Sequence, residues 1–235
     1  MRIKNKKKYI IATIKDWNKK EAKAFINNNP DIDLILIKEK KELDYQKISK
    51  FNPRYIFFPH WSWVIQEKIF KNFECIVFHM ADLPFGRGGS PLQNLILKGI
   101  NKTKISALKV IKKLDAGPIY MKRDLSLEGS AEEIYKRASR IIFNDMIPSI
   151  IKNEPKPVQQ VGKVTIFERR KPEQSKIPED ISFEKIYDFI RMLDAEGYPR
   201  AYIEYENIRF EFLDAIDRKG FVEVRVFINK REREK

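Results

Sequence analysis

Apolar residues along the chain fall into short β-branched and aromatic runs, and amphipathic stretches separate them. Tyr9 to Ile14 reads as a first strand, and Asp16 opens a helix through Asn27 with Ala22, Phe25 and Ile26 on one face. The run Asn27-Asn28-Asn29-Pro30 ends it. A second strand is predicted at Leu34–Ile37, then a short charged helix with Leu43 and Ile48 turned inward. Tyr55–Phe58 gives a third strand between Pro53 and Pro59, a helix follows from Gln66 to Asn72, and Cys75–Phe78 begins a fourth strand. Beyond it the pattern predicts a helix from Pro91 to Lys98 stopped by Gly99, a strand over Thr103–Ile111, and a helix from Ser130 to about Lys152. Ser130 with Glu133 forms a capping box in that reading.

Apolar strands alternating with helices imply a parallel sheet with right-handed crossovers. The first strand is not followed by G-x-G-x-x-G, so the dinucleotide fingerprint is absent. The composition shifts at Asn153-Glu154-Pro155-Lys156-Pro157, and a Pro-rich basic connection runs to about Pro178. A helix over Phe183–Asp194 and three alternating segments (Ala201–Tyr205, Ile208–Phe212, Phe221–Phe227) complete the chain, with a frayed charged tail from Lys230. The expected architecture is α/β: a Rossmann-like, mostly parallel sheet with helices on both faces over residues 1–152. A linker and a small C-terminal helix and β-hairpin (α+β) subdomain follow over 153–235.

Composition narrows the class. With 43% apolar and 34% charged residues, the chain is that of a soluble globular protein. The one cysteine, Cys75, lies inside an apolar run and predicts a buried, inert thiol in a reducing compartment. No run approaches the roughly 20 apolar residues that span a bilayer, and the basic start (Arg2, Lys4, Lys6) precedes too short an apolar core for a signal peptide. The location expected is cytoplasmic, without a membrane partner. The formal charge of +14 suits a polyanionic ligand or nucleic acid, or is a solvated lysine-rich surface; the lysines alternate with acids and show no aromatic interleaving along the chain, which favours the second.

Candidate chemistry concentrates where the fourth strand ends. His79, one of two histidines, is followed by Leu83-Pro84, a glycine-rich loop (Gly86-Arg87-Gly88-Gly89-Ser90) and a helical pattern. Polar groups at a strand end beside such a loop mark the usual site of α/β sheets. Asp115, in Leu114-Asp115-Ala116-Gly117-Pro118-Ile119, is a second candidate, or merely a turn residue bonded to its own backbone. Trp61 and Trp63 after the third strand either pack or wall a flat heteroaromatic ligand, and His60 reads as a loop histidine.

The residues His79-x-x-x-Leu83-Pro84-x-x-Arg87-Gly88-x-x-Pro91, and the Leu114–Ile119 turn with Asp115 36 residues after the histidine, resemble the paired motifs of the folate-dependent formyltransferases. That resemblance implies N10-formyltetrahydrofolate as co-substrate, no metal, and formyl transfer to an amine. His79 would be the general base, with Asp115 orienting the imidazole. The family's usual oxyanion donor, an Asn two residues before the histidine, is replaced here by Val77. Asn94 is the expected substitute, ahead of Gln93. The folate is expected along Trp61, Trp63, Val64 and Ile65, with Arg87 and Gly88; Asp82, Gly89, Ser90, Arg170 and Lys171 are assigned to the acceptor. Asp82 pairs with Arg87 or meets the acceptor's ammonium group. Lys15 and the Arg169–Lys171 run meet a diphosphate or are simply solvated.

Arg170-Lys171-Pro172-Glu173 and Ile190-Arg191-Met192-Leu193 with Gly197-Tyr198-Pro199-Arg200-Ala201 resemble elements of sugar N-formyltransferases. The expected acceptor is therefore a nucleotide-linked amino sugar, a UDP-4-amino-4,6-dideoxy sugar of pseudaminic-acid-type biosynthesis. A methionyl-tRNA formyltransferase-like enzyme acting on tRNA ranks second, and a non-catalytic binding module on the same scaffold ranks third. The aromatic hairpin over residues 202–212 either offers a homodimer surface or covers a sheet edge.

Overall fold

The computed structural model describes residues 6–230; Arg2 and Lys4 of the basic start and the tail beyond Lys230 lie outside the described residues. In chain order the strands are β1 (Lys8–Ala12), β2 (Asp33–Ile37), β3 (Tyr55–Phe58), β4 (Cys75–His79), β5 (Arg87–Gly88), β6 (Lys102–Lys109), β7 (Ile119–Ser126), β8 (Ile166–Phe167), β9 (Ala201–Tyr205), β10 (Ile208–Arg218) and β11 (Phe221–Lys230). The helices are α1 (Asp16–Asn28), α2 (Tyr45–Phe51), α3 (Glu67–Asn72), α4 (Pro91–Leu97), α5 (Ala131–Ile141), α6 (Ile147–Asn153) and α7 (Phe183–Arg191). A five-residue π segment, Ile142–Met146, joins α5 to α6. The capping box before α5 is formed: the Ser130 N–H donates to Glu133 at 2.9 Å, and the Glu133 N–H donates to Ser130 Oγ at 3.3 Å.

The chain forms two compact units. One contains the chain up to Arg87 with Lys104–Leu125 and Lys136–Ile166; the other contains Gly88–Thr103, Ser126–Tyr135 and the chain from Phe167. The first unit is built on a six-stranded sheet in the order β2-β1-β3-β4-β6-β7. The four strands from β2 to β4 are parallel, and β6 runs antiparallel to β4, so the sheet is mixed with a parallel majority.

Strands buried on both faces explain the near-continuous apolar runs. Ile10, Ala12, Ile56 and Phe58 pack with Leu43, Ile48, Ile65 and Ile69 from the helical segments. Tyr9, Tyr55 and Phe57 cluster with centroids 5.7–6.2 Å apart, Tyr9 stacked on Tyr55, and Phe78 joins them at 6.3 Å from Phe57. Cys75 is buried, and burial pushes its thiol up to about 12, so the thiolate is scarce at neutral pH.

The second unit carries a three-stranded antiparallel sheet, β11-β10-β9, with a bulge between Leu213 and Ile216. Arg191 of α7 is buried; it pairs with Asp188 at 2.6 Å and donates to Leu127 O and Gly129 O at 2.6 and 2.9 Å.

Candidate active site

His79 is the last residue of β4, and the loop it leads into is held from three sides. Ser106 of β6 donates to Ala81 O at 2.8 Å. Lys122 of β7 donates to Leu83 O and to Asp82, both at 2.5 Å, and Lys104 lies 3.5 Å from the same carboxylate. Burial opposes the Asp82 charge, but these ammonium groups outweigh it and hold the carboxyl below its ordinary value. Asp82 is thus partnered by Lys122 and Lys104, and Arg87 is bonded elsewhere. The Leu83–Pro84 bond is cis.

The His79 ring is buried, and its Nε2 donates to Gly86 O at 2.7 Å. A carbonyl can only accept, so this contact puts the neutral ring's hydrogen on Nε2 and its lone pair on Nδ1. Nδ1 lies 3.7 Å from Asp115 Oδ2. The two residues that the motifs singled out therefore face each other inside the first unit.

Asp115 adopts left-handed backbone, φ 49°. A Cβ on Gly117 would stand 1.7 Å from Lys109 O, so that position admits no side chain. Both turn residues present their carbonyls to one side chain: Gln160 Nε2 donates to Asp115 O at 2.9 Å and to Gly117 O at 2.8 Å. Gln160 Oε1 accepts from Arg87 Nε at 3.0 Å and Nη2 at 2.7 Å. Gln160 escaped the sequence reading because it stands in an exposed-looking Pro-rich connection; that Val158 pairs with Ile119 there is visible only in three dimensions.

Beside β3, Trp61, Trp63, Val64 and Ile65 line a cleft of about 460 Å³ with Phe70 and Lys112. The rings of Trp61 and Trp63 meet edge to face, centroids 4.9 Å apart, and Trp61 Nε1 is buried with no hydrogen-bond partner. Lys112 precedes Asp115 by three residues, so one loop serves both the cleft and the histidine pair. The turn after β3 is pinned at Pro59, whose carbonyl accepts from Thr13 Oγ1 at 2.7 Å. His60 packs edge-on against Trp17; burial, aided by the Lys15 charge, pushes its imidazole down to about 4.

The remaining candidates lie in the second unit and serve largely to hold it together. Gly88 and Gly89 permit a close approach, but to the chain itself: a Cβ would meet Phe167 O at 2.3 Å and Arg169 Cβ at 2.4 Å. Asn94 Nδ2 lies 3.0–3.1 Å from Gly89 O, Ser90 O and Glu168 O, which share its two hydrogens. Ser90 Oγ accepts from the Arg170 N–H at 3.0 Å, and the Lys171 N–H donates to Gln174 at 2.7 Å. The Arg170 guanidinium sits over the Phe189 ring at 5.8 Å with Nε buried and unpaired, and burial lowers its pKa. Gln93 donates to Tyr135 Oη and Met192 O. Among the described residues, no group of three or more His, Cys, Asp or Glu is placed to hold a metal ion, and no helix is long and apolar enough to cross a membrane.

A family model described as methionyl-tRNA formyltransferase, C-terminal domain, matches residues 172–229. A solved methionyl-tRNA formyltransferase from Clostridium thermocellum is 56% identical, with a TM-score of 0.94, over 95% of this chain and 99% of that one. The chain belongs to the folate-dependent formyltransferase family. Family members are enzymes that transfer formyl groups. Among curated proteins, the methionyl-tRNA formyltransferase of Bacillus thuringiensis is 29% identical over 181 residues, 74% of this chain. The chain spans 56% of that relative's length. HypX from Aquifex aeolicus, solved in complex with tetrahydrofolic acid, shares the fold at 13% identity and a TM-score of 0.73, over 90% of this chain and 38% of that one.

These comparisons overturn the expectation of a nucleotide-sugar acceptor. Sugar N-formyltransferases share the fold at only 13–16% identity, against 56% for the methionyl-tRNA formyltransferase. The physical reason the motif misled is visible in Arg191. Its guanidinium is turned inward onto two backbone carbonyls, so the Ile190-Arg191 element reports the packing of α7 and carries no information about the acceptor.

Proposed function

We propose that the protein transfers the formyl group of N10-formyltetrahydrofolate to the α-amine of methionyl-tRNA. The observation that carries the chemistry is the His79–Asp115 pair, with Nε2–H committed to Gly86 O and Nδ1 facing the carboxylate at 3.7 Å. Nδ1 takes the proton that the acceptor's ammonium must lose to become a nucleophile, and Asp115 stabilises the cation so formed. Both ring N–H groups of that imidazolium then have acceptors, which fixes the ring through the proton's stay. Asp115 thus acts on charge and orientation together.

The co-substrate, when bound, supplies an activated formyl group. The cleft at Trp61–Ile65 fits its flat heteroaromatic part in size, in its apolar walls and in the unpaired Trp61 Nε1; sites for small molecules run to about 300–1,000 Å³. Asn94 remains the proposed donor to the developing oxyanion. Serving there requires one of its N–H hydrogens to leave a backbone carbonyl, so Asn94→Ala is expected to lower turnover more than threefold.

Support for the acceptor comes from the similarity to a methionyl-tRNA formyltransferase, the match over residues 172–229 and the charge of +14. The test is to incubate the protein with N10-formyltetrahydrofolate and methionyl-tRNA and to follow formyl-methionine by mass. Product is expected with the native protein and is lost by about a hundredfold or more in His79→Ala, the range of a general base. Absence of product overturns the acceptor; undiminished product in His79→Ala overturns the mechanism.

A further inference from the structure

We infer that Gln160 is a positioning residue that locks the His79–Asp115 pair from both sides of the imidazole. The inference rests on the chemistry proposed above. A primary amide has two N–H hydrogens and one carbonyl oxygen, and Gln160 uses all of them. Its oxygen accepts two hydrogen bonds from the buried Arg87, at 3.0 and 2.7 Å. That contact forbids the flipped amide, because Arg87 offers only donors. With the orientation fixed, Nε2 must point at the turn, where it meets Asp115 O and Gly117 O at 2.9 and 2.8 Å.

Each end of this bridge holds a segment that supplies one neighbour of the ring. Arg87 follows Gly86, whose carbonyl receives the His79 Nε2–H, and the Arg87 N–H donates to Thr165 O at 2.9 Å in the same segment as Gln160. Asp115 faces Nδ1 and holds a left-handed backbone, φ 49°, which aspartate tolerates better than most residues. Pinning the carbonyls of residues 115 and 117 holds the turn in that conformation. The segment bearing Gln160 is itself anchored, since Val158 and Ile119 exchange two backbone hydrogen bonds of 2.7 and 2.9 Å. One amide thus sets the distance between the carbonyl and the carboxylate that flank His79.

Gln160→Glu separates the two halves of the bridge. A carboxylate keeps its partner Arg87 but turns an acceptor toward two carbonyls, so the Asp115 turn is released while the fold is retained. His79 and His60 are the only imidazoles, and their side-chain nitrogen signals are resolvable in long-range proton–nitrogen correlation spectra. In the native protein, His79 is expected in the Nε2–H form. In Gln160→Glu its Nδ1 resonance should move while His60 stays fixed, and in an Asp115→Asn background the same change should add little. Turnover is expected to fall by up to about a hundredfold, the scale of an ångström-sized misplacement, with KM for N10-formyltetrahydrofolate nearly constant. An unmoved His79 resonance in Gln160→Glu, or full additivity with Asp115→Asn, overturns the inference. Failure of the underlying chemistry looks different: His79→Ala would keep its turnover while the resonance still moved.

Discussion

At the scale of single residues, the two histidines have opposite fates. His79 is presented with a carbonyl on one side and a carboxylate on the other, whereas His60 is kept neutral by burial and the Lys15 charge. The folded state therefore resists protonating His60, while the unfolded chain takes up the proton near pH 6.5. Stability from this source is intact above about pH 6.5 and falls by up to about 3 kcal/mol as pH drops toward 4. His60→Asn, which tolerates the left-handed backbone at φ 55°, should flatten the acid side of the urea-midpoint profile; an unchanged slope would assign the loss to other groups. Cys75 should resist thiol reagents at pH 8 until the protein is unfolded, as burial dictates. The burial of Cys75 was legible from its apolar run, and the facing of His79 and Asp115 was indicated by the paired motifs, since residue type alone left Asp115 as a turn residue. Gln160 was not, because an amide bonded to a guanidinium and to two carbonyls leaves no sequence pattern.

Among elements, the strands β1, β3 and β4 follow directly from apolar runs, and the start of α5 from its capping box. β7 was not anticipated as a strand: Lys122, Arg123 and Asp124 interrupt its alternation, yet Lys122 holds Asp82 and Arg123 pairs with Asp145 at 2.5 Å. Lys122 and Arg123 are engaged in ion pairs with residues distant in sequence, which hydropathy does not reveal. The single helix expected to about Lys152 is instead interrupted by the π segment at 142–146, a change of hydrogen-bond register that periodicity alone does not specify. The Asp115 turn is the element most exposed to a single change. Gly117→Ala drives a methyl into Lys109 O, so it should destabilise the protein by about 1–3 kcal/mol and remove most turnover, measured by thermal unfolding and formyl transfer.

For the whole molecule, the charge acquires a structure that the linear sequence hid. Along the chain the basic residues show no aromatic interleaving, but across β9–β11 Arg209 lies over Tyr202 at 3.5 Å and Arg200 over Phe227 at 4.7 Å. Pairs brought together by strand register are invisible to a scan for neighbours. If methionyl-tRNA is the acceptor, the rate at limiting tRNA should fall at least tenfold between 50 and 200 mM KCl, because phosphate contacts release counterions. The rate at limiting N10-formyltetrahydrofolate should change far less. Equal salt sensitivity for both substrates would count against a polyanionic acceptor.

The stretch from Val158 to Ile166 has a practical corollary. It supplies the partner of Ile119, the amide behind Asp115 and the Thr165 carbonyl that receives the Arg87 N–H. A protein shortened at residue 152 would keep the strands of the six-stranded sheet and both motif residues, but would lack the brace of the His79–Asp115 pair and the chain from Phe167 that completes the second unit. Such a truncation should lose formyl transfer and unfold at a lower temperature than the full chain, because it cuts both compact units.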